Sequence, residues 1–160
     1  MNIFYLSTDP EKAAKYMYNK HVVKMILETA QLLCTAHREL GNNNVPYKST
    51  HRNHPSAIWA RQDAANYTWL YKHMMALGDE YTKRYGKKHL TIDKCKDVLK
   101  TPPPGLQWKE FTQPPQCMPD EYKVENNAIH GYWRYYISGK RDIASSTETV
   151  YTDVPDFAVR

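Results

Sequence analysis

The sequence has few cysteines, few glycines and no long apolar run. Its three cysteines, Cys34, Cys95 and Cys117, are odd in number and show no close pairing. This argues against a disulfide framework or a cysteine-rich zinc site, and it fits a reducing cytosol. The apolar run at residues 3–6 is far too short for a signal peptide or a membrane span. We therefore expect a cytoplasmic protein without a lipid anchor.

Length and composition predict one soluble globular domain. The chain has 160 residues, of which 41% are hydrophobic and 24% charged, enough for a sizeable core. The net charge of +5 is consistent with a polyanionic partner. The chain is rich in aromatic residues, with 13 Tyr, 4 Trp and 3 Phe. Of these, Trp59, Tyr67 and Trp69 are expected in the core.

Helix start and stop signals divide the chain into helices. Thr8, Asp9 and Pro10 form a helix start, and Gly41 and Gly86 follow helical patterns that end there. The predicted helices cover residues 10–40 (with a bend near 19–20), 56–85, 91–99 and 119–139, and residues 101–115 form an irregular proline-rich segment. We predict an all-α fold with a single compact domain over residues 1–160, in which 1–140 form the helical body and 141–160 an additional tail.

A polar stripe runs along the predicted helix over residues 20–40. His21, Lys24, Glu28, Gln31 and Thr35 are spaced by three, four, three and four residues, so they share one helix face. Cations, an amide and one carboxylate suit a polyanion with a single acid/base group at the centre. The alternative is a solvated face whose Lys–Glu pair contributes a few tenths of a kcal/mol.

The polar loop over residues 48–54 precedes the start of a helix. Its dense donors, Arg52 and His54 among them, make a plausible phosphate-binding edge. The same loop allows a metal site in which His51 and His54 meet His21. A spacing of three residues in a loop is weak support for that site.

The segment over residues 131–141 interleaves aromatic rings with cations. On a helix, Tyr132 and Tyr135 share a face, while Arg134 and Lys140 can reach phosphates. Stacking combined with charge holds a distorted nucleic acid. The alternative is a helix that docks onto the protein through its rings.

The amino terminus offers a nucleophile. Asn2 is bulky, so we expect Met1 to be retained and to carry the free α-amine. The pKa of such an amine is about 7.7–8.0 against about 10.4 for lysine, which leaves a useful neutral fraction at pH 7. Every protein has such an amine, and nearly all of them are idle.

These segments together resemble the phage-type pyrimidine-dimer DNA glycosylases, the small UV-repair endonucleases. The chain begins with a short extended Met-Asn-Ile-Phe segment, and His21 is followed seven residues later by Glu28 on a long helix. The helix after His54 is similar in length and position. The cluster over residues 132–136 resembles the aromatic-basic segment near the carboxy terminus of the family. The resemblance spans about residues 1–140.

The resemblance implies a metal-free glycosylase and AP lyase without a cofactor, acting as a monomer on double-stranded DNA that contains a lesion or modified base. The α-amine of Met1 would attack C1′ of the damaged nucleotide, and Glu28 would stabilise the developing cation and assist proton transfer at C2′. β-Elimination would then cut the strand. The side chains expected to contact DNA are Asn2, Lys20, His21, Lys24, Gln31, Arg52, His54, Tyr132, Arg134, Tyr135 and Lys140.

The sequence also departs from the family pattern. Leu27 and Gln31 stand where the family has arginines, and Asn2 stands where an arginine follows the first mature residue. Fewer guanidinium groups imply a weaker phosphate grip or a different substrate. Two other functions therefore stay open: a non-catalytic nucleic-acid-binding member of the same fold, and a metal-dependent hydrolase that uses His21, His51 and His54.

Overall fold

The fold is all-α, as predicted. The structure is a computed structural model that describes residues 2–140, and these residues contain no β-strand. The predicted tail over residues 141–160 lies outside the described residues. The helices are α1 (Pro10–Lys15), α2 (Asn19–Glu39), α3 (Pro55–Ala60), α4 (Ala64–Tyr85), α5 (Leu90–Cys95) and α6 (Ala128–Arg134), with a 3-10 turn at Asp120–Tyr122 and a π-helical turn at Tyr135–Gly139.

Helices α2 and α4 form the centre of the fold and pack against each other. Helix α1 packs on α4, α3 on both long helices, and α5 on α2. The buried faces carry the apolar positions, such as Ile26 and Leu33 on α2 and Leu70 and Leu77 on α4. Trp59, Tyr67 and Trp69 lie in this core, which confirms their predicted role. None of the helices within residues 2–140 has the length and apolarity needed to cross a bilayer.

The first long helix is broken rather than bent. Helix α1 ends at Lys15, and Tyr18 adopts an extended conformation with ψ of 150° before α2 begins. The guanidinium of Arg84 on α4 donates hydrogen bonds to the carbonyl oxygens of Lys15 and Met17. These carbonyl oxygens accept no hydrogen bond within a helix, so the guanidinium group, which is remote in sequence, satisfies them at the break. It thereby fixes the path of the chain into α2.

The predicted helix over residues 56–85 is two helices. Asp63 has φ of −153°, and its carboxylate accepts a hydrogen bond from the N–H of Ala65, which caps α4. The other carboxylate oxygen accepts from the N–H groups of Lys109 and Glu110 in the proline-rich segment. The break therefore anchors a loop that is remote in sequence. The predicted helix over 91–99 is also shorter, and its regular part is α5.

The prediction of a continuous helix from Pro119 to Gly139 is wrong in its first half. Helix α6 starts at Ala128, because the side chain of Asn127 caps it and Asn126 has a positive φ of 58°. Before that, the side-chain amide of Gln116 both donates to the carbonyl and accepts from the N–H of Val124. This pairing holds the chain in an irregular path that local propensity does not show.

The amino-terminal segment is buried although it forms no regular structure. Ile3, Tyr5 and Leu6 are each 1% exposed. The indole N–H of Trp133 on α6 donates to the carbonyl oxygen of Leu6 over 2.8 Å. The aromatic helix near residue 133 thus packs directly on the start of the chain, and together they form one end of the fold.

Candidate functional site

One cleft contains most of the residues that the sequence singled out. It has a volume of about 270 Å³, close to the lower end of the range for small-molecule sites, about 300–1,000 Å³. The amino-terminal segment, α2, the start of α3 and the last described residues form its walls. The side chains that line it are Asn2, Phe4, His21, Lys24, Met25, Glu28, His54, Cys117, Tyr135 and Lys140.

Helix α2 supplies the centre of the cleft. His21, Lys24, Met25 and Glu28 occupy positions i, i+3, i+4 and i+7 of α2, so they lie in one row facing the cleft. Helix α4 covers the opposite face of α2 and fixes its rotation. The polar stripe predicted from spacing is therefore a wall of a cleft over its first three members.

The carboxylate of Glu28 is only loosely held by the protein. Its Oε2 atom is shielded from solvent and has no hydrogen-bond partner among the described residues. Nζ of Lys24 lies 3.9 Å from this oxygen, beyond hydrogen-bond distance, on a side chain that is 72% exposed. An exposed pair of this kind contributes about 0.5 kcal/mol or less. The sequence-based alternative, a surface ion pair, is thus present, but it leaves a buried carboxylate oxygen without a hydrogen bond from the described residues.

His21 is a neutral donor at the inner end of the row. It is 6% exposed, and the ring of Phe4 stacks on it with centroids 4.3 Å apart. Burial, together with the positive charges of Lys140 and Lys24, lowers the pKa of His21 from 6.5 to about 4. The ring is therefore uncharged at neutral pH.

The hydrogen bonds around Tyr136 define which nitrogen of that ring carries the hydrogen. Nδ1 of His21 lies 2.8 Å from the hydroxyl oxygen of Tyr136, which accepts a hydrogen bond from the backbone N–H of Tyr18. The hydroxyl hydrogen is then directed to Nδ1, and we assign the imidazole hydrogen to Nε2. Nε2–H lies on the far side of the ring from Tyr136 and is a donor that carries no charge.

His54 joins the site through the start of α3. Its Nδ1 accepts from the N–H of Ser56 and caps α3, and burial lowers its pKa. His51 is exposed and its ring contacts Thr50 instead of the cleft. Within residues 2–140, no three His, Cys, Asp or Glu side chains form a group that could hold a metal ion. His21, His51 and His54 are therefore not brought together as a ligand set.

Tyr135 and Lys140 form the wall opposite α2. Nζ of Lys140 lies 5.1 Å from the centroid of the Tyr135 ring, within cation–π distance. Tyr135 also stacks over Phe4, with centroids 6.4 Å apart. A half-buried ring beside a cation is suited to hold a base or sugar next to a phosphate.

The amino-terminal segment is fastened to the cleft by Asn2. Its side-chain Nδ2 donates to the carbonyl oxygen of Cys117 over 2.7 Å, and its Oδ1 accepts from the N–H of Phe4. Phe4 has a positive φ of 55°, a conformation that costs free energy outside glycine and turns the chain here. Met1, the proposed source of the nucleophile, lies outside the described residues.

Sequence reasoning missed three residues that line the cleft. Phe4 and Met25 are buried apolar side chains, and nothing in their spacing separates them from ordinary core. Cys117 lies in the irregular segment, 89 positions after Glu28 in the printed sequence. Tertiary contacts bring Cys117 to the site: its carbonyl accepts from Asn2, its N–H donates to the hydroxyl of Tyr132, and its Sγ lies 3.5 Å from Oγ of Ser56.

Some predicted DNA contacts lie elsewhere on the protein. Lys20, Arg52 and Arg134 are exposed, and Gln31 is half-buried one turn beyond Glu28 on α2; none of these four lines the cleft. Arg134 donates to the carbonyl oxygen of Glu121.

Tyr132 requires a correction. Its side chain is fully buried, and its hydroxyl donates to the carbonyl oxygen of Pro115. In this structure no ring surface of Tyr132 is left for a base. For Tyr132, the sequence-based alternative of a helix docked through its rings is the one that the structure shows.

Thr35, the last member of the polar stripe, is buried as well. Its hydroxyl donates to the carbonyl and accepts from the N–H of Thr50. It therefore holds the loop that precedes α3, and the open part of the stripe ends near Gln31.

The fold and the cleft define a helical protein whose site, over residues 2–140, combines several cationic or imidazole groups with one carboxylate, as expected for an enzyme that acts on a nucleic acid. The sequence model for pyrimidine dimer DNA glycosylases matches residues 1–93, and the chain belongs to this family of DNA repair glycosylases. The matched region includes His21, Glu28 and His54, but it ends before Cys117, Tyr135 and Lys140. No curated protein and no solved structure matches the chain.

Proposed function

We propose that this protein excises damaged pyrimidines from double-stranded DNA and then cleaves the strand, with the α-amine of Met1 as nucleophile and Glu28 as the acid/base group. One observation carries the proposal. Glu28, whose Oε2 atom has no hydrogen-bond partner among the described residues, lines a cleft that Asn2, the residue bonded to Met1, also lines.

The chemistry needs no oxidant and no cofactor. The amine lone pair forms a bond to C1′, and the bond from C1′ to the damaged base breaks with its electrons leaving on the base. The bound nitrogen gives up a proton to the departing base, and the C1′–O4′ bond then breaks with its electrons on O4′, which takes up a proton from water. The sugar ring has thereby opened to an iminium ion, whose positive charge the Glu28 carboxylate stabilises. Glu28 then accepts a proton from C2′, and the C3′–O bond breaks to release the 3′ phosphate. Water hydrolyses the remaining imine.

The other groups of the cleft bind and orient the nucleotide. Lys24 and Lys140 carry charge suited to the flanking phosphates, and Tyr135 offers a ring face to the displaced nucleotide. His21, neutral at pH 7, donates a hydrogen bond without repelling the developing cation. His54 lies where the helix start of α3 meets the cleft and completes the polar wall.

The predicted residues outside the cleft act on DNA beyond the lesion. Lys20, Arg52 and Arg134 are exposed cations that suit phosphates further along the duplex, and Gln31 extends the row on α2. Contacts of this kind hold the duplex in register and carry no sequence information.

Borohydride trapping tests the proposal directly. The protein is incubated with duplex DNA containing a cyclobutane thymine dimer or an abasic site, and sodium borohydride is added. We expect a covalent adduct at the first residue, identified by mass spectrometry of the digested complex. We also expect the adduct to disappear when the α-amine is blocked by reductive methylation.

Two other results would overturn it. Salt-sensitive binding of the lesion duplex without any adduct or cleavage would identify a non-catalytic binding protein of the same fold. Cleavage that is lost with a chelator and restored by a divalent metal would identify a hydrolase of a different mechanism.

A further inference from the structure

Helix α2 carries two exposed apolar side chains beside the cleft. Val23 is 38% and Leu27 is 39% exposed. They are four residues apart, so they lie next to each other on one face of the helix. Leu27 immediately precedes Glu28 and is therefore rotated from it by about 100° around the helix axis. Leu27 thus lies at the rim of the cleft, next to Lys24, which lines it, and Val23 lies further round the helix from Glu28.

The same rim is positively charged. Lys20, Val23, Lys24 and Leu27 stand at positions i, i+3, i+4 and i+7, so two exposed lysines alternate with the two apolar side chains along one stripe. Two apolar side chains are too few for a stable protein interface. An apolar pair flanked by cations matches a partner that offers phosphates around an apolar surface, which is the chemistry of stacked bases in DNA.

We propose that Leu27, supported by Val23, is an apolar wedge that contacts an unstacked base step of the duplex beside the lesion. This inference rests on the proposed function. A nucleotide must leave the stack before its C1′ can reach the cleft, and the gap it leaves exposes apolar base faces. Proteins that kink DNA insert leucine, isoleucine or phenylalanine into such gaps, while nearby cations hold the backbone.

The test compares Leu27→Ala with a matched control on the same helix. Leu40 is 40% exposed and caps the far end of α2, about 20 Å from Leu27 along the helix axis. Leu40→Ala removes the same atoms at the same exposure away from the cleft. Leu27→Met keeps the apolar volume at the rim. Thermal unfolding of all three variants checks that each is folded.

The readout is the rate of borohydride-trapped adduct on two substrates, a fully paired thymine-dimer duplex and the same dimer in an unpaired bulge. We expect Leu27→Ala to slow adduct formation about five- to tenfold on the paired duplex and less than twofold on the bulge, where the bases are already unstacked. Leu27→Met and Leu40→Ala should stay within twofold of the unaltered protein on both substrates.

Three results would overturn the wedge: a loss under twofold on the paired duplex, an equal loss on both substrates, or the same loss in Leu40→Ala. Failure of the proposed function looks different, because the unaltered protein then forms no adduct on either substrate. In that case the wedge is measured by 2-aminopurine placed opposite the dimer. Its fluorescence should rise on binding of the unaltered protein and not on binding of Leu27→Ala, and equal rises would overturn the wedge.

Discussion

The hydroxyl group of Tyr136 connects two parts of the site by hydrogen-bonding at once with the backbone N–H of Tyr18 and with Nδ1 of His21, over 2.6 and 2.8 Å. Tyr18 is the residue at which the chain turns into α2. One buried oxygen therefore fixes both the entry into the helix and the ring that faces the cleft.

Tyr136→Phe should destabilise the protein by about 1–3 kcal/mol, because it leaves a buried N–H and a buried imidazole nitrogen without their partner. Chemical denaturation monitored by circular dichroism measures the loss. Tyr135→Phe, at the half-buried neighbour, is the control and should change the free energy of unfolding by less than about 0.5 kcal/mol. Equal effects of the two variants would contradict the assigned role of Tyr136.

Stability should fall as the pH is lowered from about 6.5 to about 4. The pKa values of His21 and His73 are both lowered from 6.5 to about 4, mainly by burial, so the unfolded chain binds their protons first. The neutral rings contribute their full stabilisation above pH 7, and protonation of the unfolded state removes up to about 3 kcal/mol per ring across this window.

Urea denaturation at several pH values checks this dependence. His21→Gln should make the slope between pH 4 and pH 6.5 shallower, and the lowered pKa values of His37, His54, His73 and His89 should maintain the rest of it. His51→Gln, at an exposed loop position, should leave the slope unchanged. A pH-independent free energy of unfolding in this window would show that the two histidines are not held neutral by the fold.

Glu28→Gln should reduce strand cleavage by at least about 100-fold, the usual contribution of a positioned acid/base group. Folding should be nearly unchanged, because Oε2 has no hydrogen-bond partner among the described residues and the ion pair with Lys24 is long. Gel assays of cleavage and melting curves measure the two effects. Glu39→Gln, in the last turn of the same helix, should cleave at the normal rate; a variant of Glu28 that does so too would refute its role.

Asn2→Asp should slow adduct formation about tenfold at saturating lesion DNA. The replacement keeps the acceptor for the N–H of Phe4, but it removes the donor to Cys117 and sets a negative charge against that carbonyl oxygen. The pH profile of trapping separates two causes. A lower plateau indicates a misplaced amine, whereas a raised apparent pKa with the same plateau would show that only the charge of the new carboxylate acts on the amine.

Asp63→Asn should loosen the proline-rich segment without unfolding the helices. The replacement removes the negative charge that faces the backbone N–H groups of Lys109 and Glu110. If the amide N–H₂ group takes the place of the accepting oxygen, both N–H groups also lose their acceptor. Hydrogen exchange at these two amides should accelerate, while exchange in the middle of α2 stays slow. Hydrogen bonds, chiefly the one from the N–H of Ala65, lower the pKa of Asp63. Acidification through that pKa protonates the carboxylate and should therefore also accelerate exchange at the two amides. Unchanged hydrogen-exchange rates would show that the proline-rich segment stays ordered without its hydrogen bonds to Asp63.

The sequence predicts the α2 wall of the cleft well because that wall depends on local geometry. Residues three and four apart on a helix must share a face, so the row from His21 to Glu28 follows from spacing alone. The positions of Asn2, Tyr135 and Lys140 in the same cleft agree with the order of motifs, although no periodic pattern requires it.

The helix breaks are not predictable in the same way, because their causes are remote in sequence. Arg84 satisfies carbonyls near residue 16, and Asp63 binds amides more than forty positions later in the chain. The burial of Tyr132 is hidden for a related reason. Alternating rings and cations look the same whether the rings pack on the protein or on a base, and only the docking of α6 on the first residues decides between them.

Three of the residues that line the cleft lie in the last third of the described chain: Cys117, Tyr135 and Lys140. Glu28 lies near the beginning of the chain. Domains emerge from the ribosome with the amino-terminal part first. The row on α2 that contains Glu28 is therefore synthesised long before the opposite wall of the cleft. The first residues of the chain can be covered by Trp133 only after that residue has been synthesised. The cleft is accordingly complete only once the residues up to Lys140 have been synthesised.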